Sequence, residues 1–362
     1  MKRKSLLLCS MLCIGFIFLF QFFQEPKVEG DQSVENFYEK VGSEKTINYL
    51  IIGDSIGRGS GASEPNKRWF QIWENKMKDT YDVDFKRHMV VQSGSTAFEG
   101  LNKLNATPHL GSIDLTFIVF GENDRKYMNE KQFAQFYEGL LRQVKKDYPD
   151  TEIYTLTESP LDNELFIQKI TDISAHYLAK NIDLRPVFSE STYSAFELTT
   201  DLVHPNDRGY QLYAEAIFQE TQNLMNQDTQ IAVLAAPLHD DVNIALQQSS
   251  AYTHASHPYK GIYWYSEDAG ETIKFSFSGT FLGMKVKSHP AGGMLDIYID
   301  GQPVRTLSTW WPLEKERYLY ISSDLEKGIH QVTFTVSKQK SIFNESGKAE
   351  IFLSTIITEG TN

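Results

Sequence analysis

The chain has 362 residues, more than one compact core usually organises, so two folded domains behind a short N-terminal segment are expected. Apolar and charged fractions of 41% and 23% exclude wholesale disorder. A formal net charge of -12 speaks against nucleic acid as a partner, because binding a phosphate backbone needs clustered Lys and Arg.

Lys2, Arg3 and Lys4 precede an uncharged apolar run from Leu6 to Phe23, and Gln24, Glu25 and Pro26 follow it. A basic flank before an apolar run is an export signal, and this run is close to the length that spans a bilayer. No small-x-small cleavage pattern follows it, and Leu7-Leu8-Cys9 lacks the small residue that precedes a lipidated cysteine. Residues 1–26 therefore read as an uncleaved membrane anchor with Lys2 to Lys4 on the cytoplasmic side. A cleaved signal peptide is the alternative, and both put the bulk of the chain outside the cytoplasmic membrane. The only cysteines, Cys9 and Cys13, lie in this run. The rest of the chain thus has no residues for a disulfide framework or a Cys-based zinc site.

Residues 27–45 read as a polar tether. Asn48-Tyr49-Leu50-Ile51-Ile52, ending in Gly53, then carries a buried-strand signal. Lys67 to Lys78 has Trp69, Phe70, Ile72, Trp73 and Met77 at helical spacing. Met89 to Val91 is a second strand and Leu115 to Phe120 a third. Lys131 to Tyr148 is an amphipathic helix with Phe133, Phe136, Leu140, Leu141 and Val144 on one face. Glu152 to Leu156 is a fourth strand, Leu165 to Leu178 a helix, Ile182 to Phe188 a short fifth strand, and Asp207 to Met225 a closing helix. Strands alternating with helices imply a parallel sheet covered on both faces. Residues 46–227 should form a flavodoxin-like three-layer α/β domain.

Beyond Gln227 the pattern alternates with period two: Ile273, Phe275 and Phe277; Leu295, Ile297 and Ile299; Val332, Phe334 and Val336. Asp300-Gly301 is a hairpin-turn signal, and turns are expected near Gly270-Glu271, Ala291–Gly293 and Glu326–Gly328. Residues 240–358 should form a β-sandwich. Tyr263-Trp264-Tyr265 and Trp310-Trp311 read mostly as its core, with one or two rings available to stack on sugars.

Four segments carry chemistry, each at the carboxyl end of a predicted strand or before the last helix. Open parallel sheets bind ligands at that edge. Gly53-Asp54-Ser55 offers a hydroxyl nucleophile, or merely a helix cap. Ser93-Gly94-Ser95-Thr96 offers a backbone N–H that can approach closely, or a tight turn. Gly121-Glu122-Asn123-Asp124 offers a side-chain amide donor of the kind that holds an oxyanion, or a strand-to-helix turn. In Asp201-Leu202-Val203-His204, an acid three residues before a histidine can orient the ring through Nδ1 and leave Nε2 to take a proton from a serine, or the segment is a helix entry capped by Asn206 or Asp207 with His204 an ordinary loop residue.

Together these blocks resemble the SGNH, or GDSL-like, hydrolase superfamily. Gly53-Asp54-Ser55-Ile56 is similar to its first block and Gly94 to its second. Gly121 to Asp124 is similar to Gly-x-Asn-Asp, and Asp201 to His204 to Asp-x-x-His, over about residues 47–225. Two positions depart: Gln92 stands where the second block commonly opens with Asn, and Ile56 replaces Leu. The resemblance implies Ser55 as nucleophile, His204 as general base and Asp201 as its orienting acid. It further implies an oxyanion hole of the Ser55 and Gly94 N–H groups with the Asn123 amide. It implies no metal or organic cofactor, and the remaining histidines, including His254 and His257, give no convincing metal-ligand spacing. The segment from Phe275 to Gly301 resembles the jelly-roll module of acetylxylan-esterase-type carbohydrate esterases, where that module usually precedes the catalytic domain rather than follows it.

The expected activity is an extracytoplasmic serine esterase that deacetylates a glycan or small ester. The same residues suit an O-acetyltransferase of a cell-envelope polysaccharide, with a multi-span membrane acyltransferase as the implied partner. A catalytically silent glycan-binding protein is the third reading, and the full set of Ser55, Asn123, Asp201 and His204 argues against it.

Overall fold

The computed structural model describes residues 35–43, 45–227, 229–240, 242 and 245–360. The expected anchor at residues 1–26 lies outside them. No helix among the described residues is long and apolar enough to cross a membrane.

The first domain is built on five parallel strands: β1 (Ile47–Gly53), β2 (Phe85–Val91), β3 (Leu115–Val119), β4 (Glu152–Thr157) and β5 (Lys180–Asp183). Their order is β2-β1-β3-β4-β5, that of the doubly wound flavodoxin-like fold. Alternation along the strands divides their side chains between two layers. Leu50, Ile52, Ile118 and Ile153 face α3 (Ala97–Ala106), α4 (Glu130–Asp147) and α5 (Glu164–His176). Tyr49, Ile51, Phe117 and Tyr154 face α1 (Phe37–Gly42), α2 (Trp69–Tyr81) and α8 (Asp207–Met225). Two short helices, α6 (Arg185–Ser189) and α7 (Ala195–Leu198), lie between β5 and α8.

Three local departures from the sequence expectations have physical causes. Part of the expected tether is helix α1, capped by an Asn36–Glu39 capping box, with Phe37 and Val41 in the core. The strand expected over Ile182–Phe188 stops at Asp183. There the Asp183 carboxylate accepts the Arg185 N–H, and Pro186 in the first turn opens α6 instead. Helix α3 was not anticipated, because Gly100 and Asn102 weaken its pattern. Gly100 sits there because a Cβ would come 2.5 Å from the Phe120 ring.

The second domain pairs two antiparallel sheets. One runs β13 (Lys315–Ser322), β10 (Leu282–Ser288), β15 (Ile351–Glu359), β6 (Leu246–Ser249), with β8 (Trp264–Ser266) also on β15. The other runs β12 (Gln302–Ser308), β11 (Met294–Ile299), β14 (Ile329–Val336), β9 (Thr272–Ser278), β7 (Tyr252–Ala255). The period-two residues Phe275, Ile297 and Phe334 form the sandwich core with Met284 and Leu353. Asp300 and Gly301 turn the β11–β12 hairpin with φ of 50° and 78°, both left-handed.

The sandwich shares a core with the α/β domain. Phe281, Tyr318, Tyr320 and Ile357 belong to the same apolar cluster as Phe98 and Phe136. Phe98 packs edge-on against Tyr320 at 5.9 Å between ring centroids, and Phe136 against Phe281 at 5.5 Å. Gly283 is needed for this approach, since a Cβ there would lie 2.2 Å from the Phe98 ring. The connecting segment is also tied down. The Leu238 N–H and the His239 N–H and ring all reach the buried Glu138 carboxylate, and Arg142 donates to the Ala235 carbonyl.

Candidate active site

Ser55 follows β1 and is 6% exposed. His204 Nε2 lies 2.9 Å from Ser55 Oγ, and His204 Nδ1 lies 2.8 Å from Asp201 Oδ2. A carboxylate only accepts, so Nδ1–H donates to Asp201, and Nε2 is left to accept the Ser55 hydroxyl. Burial pushes the Asp201 carboxyl up, but hydrogen bonds from the His204 N–H, the His204 ring and the Val203 N–H outweigh it and hold the group below the usual range. It is therefore anionic at neutral pH. The loop is fixed by those same bonds, with Leu202 held at a left-handed φ of 68°. Gly61 lets the segment after Ser55 lie against this loop: a Cβ there would be 2.4 Å from the Pro205 carbonyl oxygen.

Asn123 follows β3, and its amide donates to Asp54 Oδ2 at 2.6 Å. Asp54 Oδ1 accepts the Ile56 N–H at 2.8 Å. One carboxylate thus clasps the Ser55 turn and aims the Asn123 amide. Burial raises Asp54 to about 6, opposed by its hydrogen bonds. Glu158, fully buried beside it, is pushed well above the carboxylate range by burial and by the Asp54 charge. Of this pair, Glu158 carries the proton and Asp54 the charge. Asp124 accepts the Ala97 N–H at 2.8 Å, which ties the Asn123 segment to the first turn of α3.

Gly94, at a left-handed φ of 69°, follows β2. The Gln92 side chain donates to the Ser93 carbonyl at 3.1 Å. That carbonyl belongs to the peptide that carries the Gly94 N–H, and the two point opposite ways in the plane. Holding the oxygen aims the N–H, so glutamine supplies an anchor at the position where the sequence departs from the common pattern.

The structure brings Ser55, His204 and Asp201 into one relay. Gly94 and Asn123 line a cleft of about 330 Å³ together with Arg317, Trp310, Trp311 and Tyr127. Trp264 is fully buried core, whereas Trp310 and Trp311 are half-buried in the cleft wall. Sequence reasoning missed Glu158 and Arg317, whose partners lie in distant segments. No group of three His, Cys, Asp or Glu side chains suited to a metal ion occurs among the described residues. The arrangement can deprotonate a serine hydroxyl and offer N–H donors beside it.

Residues 51–212 match the model of the GDSL-like lipase/acylhydrolase family. That match lies within the α/β domain, and the enzyme class is serine ester hydrolase. No curated protein matches the chain. Among solved structures, a two-domain esterase (CEX) active on acetylated mannans superposes with a TM-score of 0.68 at 18% identity, covering 90% of this chain and 94% of that one. A crystal of such an esterase with mannopentaose gives 0.67 and 18%, covering 90% and 93%. The family 3 carbohydrate esterase of Clostridium thermocellum matches at a TM-score of 0.43 and 16% identity, over 51% of this chain and 100% of its own. The CEX likeness spans both domains and shows that their combination is a known fold.

Proposed function

We propose that the protein deacetylates a polysaccharide outside the cytoplasmic membrane by a serine mechanism. Ser55 Oγ attacks the ester carbonyl, and His204 takes its proton and returns one to the leaving sugar hydroxyl. Asp201 stabilises the imidazolium. The N–H groups of Ser55 and Gly94 and the Asn123 amide receive the oxyanion. Water, activated by His204, then releases acetate from Ser55.

The observation that carries the reading is the 2.9 Å contact of His204 with Ser55 beside a cleft walled by aromatic rings. Aromatic faces suit the CH surfaces of pyranose rings. The two-domain neighbour's activity on acetylated mannans supports an acetylated glycan as substrate. Lys2 to Lys4 before the apolar run support export and an N-terminal tether.

That tether also favours a second reading, in which a sugar hydroxyl replaces water and acetyl is transferred from a membrane donor to an envelope glycan. Mass spectrometry of the purified ectodomain incubated with acetylated and unacetylated polysaccharides tests both. Acetate release identifies the hydrolase, and gain of acetyl on the glycan identifies the transferase. Neither product, in a protein that also leaves p-nitrophenyl acetate intact, would contradict both readings.

A further inference from the structure

The sandwich touches the Gly94 loop through Arg317 of β13. This arginine is buried, and its guanidinium forks onto Glu99 of α3, with Nε 2.9 and 3.0 Å from the two carboxylate oxygens and Nη2 2.8 Å from one of them. The Tyr318 N–H adds a bond to Glu99 at 3.3 Å. Arg317 also stacks on Trp311, its Cζ 4.6 Å from the ring centroid.

A buried Arg–Glu pair is complete with the fork alone. Here Nη2 donates a further bond of 3.1 Å to the Gly94 carbonyl. That carbonyl belongs to the peptide after Gly94, and Gln92 holds the carbonyl of the peptide before it. Both peptide planes at Gly94 are therefore anchored by side chains. The residue needs such anchors, because a glycine has the widest choice of φ and ψ and this one sits at a positive φ.

We propose that Arg317 is a positioning residue, through which the sandwich domain holds the Gly94 peptide so that its N–H meets the developing oxyanion. The proposal rests on the reading of Gly94 as an oxyanion donor. It makes the second domain part of the hydrolytic machinery rather than a sugar-holding appendage. Its effect falls on kcat, even for an ester too small to reach the sandwich.

The test uses the full chain and p-nitrophenyl acetate. Arg317→Ala strands the Glu99 carboxylate in the interior and can lower stability. The double variant Glu99→Gln/Arg317→Met removes both charges and keeps the volume, and Arg317→Lys keeps a cation that cannot span both acceptors. Activity is expressed per folded molecule, with melting temperature followed in parallel. The expected result is a kcat loss of about 10- to 100-fold in Arg317→Ala and in the double variant, and a smaller one in Arg317→Lys, with KM changed less than about twofold. Methylguanidinium should restore part of kcat to Arg317→Ala but not to the double variant, where methionine fills the space. A purely structural role would lower the melting temperature, leave kcat per folded molecule unchanged and give no rescue, and this would overturn the proposal. Ser55→Ala separates the two levels of the account. If it is inactive while the Arg317 variants keep wild-type kcat, only the role of Arg317 falls. If Ser55→Ala stays active, the reading of the whole site falls with it.

Discussion

At the scale of single residues, the candidate site separates groups proposed to react from groups that hold them. His204 is partly exposed in a loop fixed by Asp201. His204→Ala should therefore remove nearly all turnover and leave the circular dichroism spectrum and melting temperature close to wild type. Near-normal kcat in that variant would contradict its role as base. Asn123→Ala removes one proposed oxyanion donor, and the expected cost is about 3 kcal/mol in the barrier, a loss in kcat of about 100-fold. Steady-state kinetics on p-nitrophenyl acetate read this directly. A loss confined to KM would instead mean that Asn123 binds ester and transition state alike. The residues proposed to react were legible as candidates in the sequence because each sits in a short contiguous block with fixed spacing, such as Asp201 to His204. The holding residues were not. Glu158 takes its meaning from Asp54, just past the end of another strand, and Arg317 from Glu99 in another domain.

At the scale of elements, the strand ends are joined by buried carboxyl groups. Asp124 links β3 to α3 through the Ala97 N–H, and burial raises it to about 8 against the pull of that bond. A carboxyl whose folded pKa lies above its unfolded value of about 3.9 binds its proton more tightly in the folded state. Its stabilising contribution is complete below that unfolded value and is lost as pH rises through about 8. Stability should fall between these limits. Asp124→Asn, which keeps the acceptor for Ala97, should flatten the dependence by up to one proton, about 1.4 kcal/mol per pH unit. Glu152, also raised to about 8 by burial, leaves a residual slope in that variant. Urea midpoints from pH 4 to 9 provide the check, and an unchanged slope would sink the assignment. Most helices and strands of the α/β domain were legible from periodicity, since Asp207 to Met225 and its neighbours carry a clear apolar face. Helix α3 was hidden because Gly100 yields to the Phe120 ring, a contact made across the layer and not along the chain. Its one local signal was Thr96 followed three residues later by Glu99, whose N–H the Thr96 side chain accepts.

At the scale of the whole molecule, the two domains are fused through α3 and α4. Phe98, Phe136, Phe281 and Tyr320 make one apolar contact, and the Arg317–Glu99 pair lies beside it. One cooperative unfolding transition is expected, rather than one for each domain. Gly283→Ala would drive a Cβ against the Phe98 ring, and a loss of about 1–3 kcal/mol is expected from the denaturant midpoint. If only the sandwich loosened, two transitions would appear and the shared core would be disproved. Sequence periodicity showed both folds but not their fusion, because an apolar ring such as Phe136 does not mark in the sequence whether it faces its own domain or the other. The central claim concerns the hydroxyl at the end of β1. Labelling with a reactive p-nitrophenyl phosphonate, followed by peptide mass spectrometry, tests it most directly. The account predicts a single adduct on Ser55, formed at least about a thousandfold more slowly in His204→Ala. An adduct on any other residue, or labelling of His204→Ala at the wild-type rate, would contradict it.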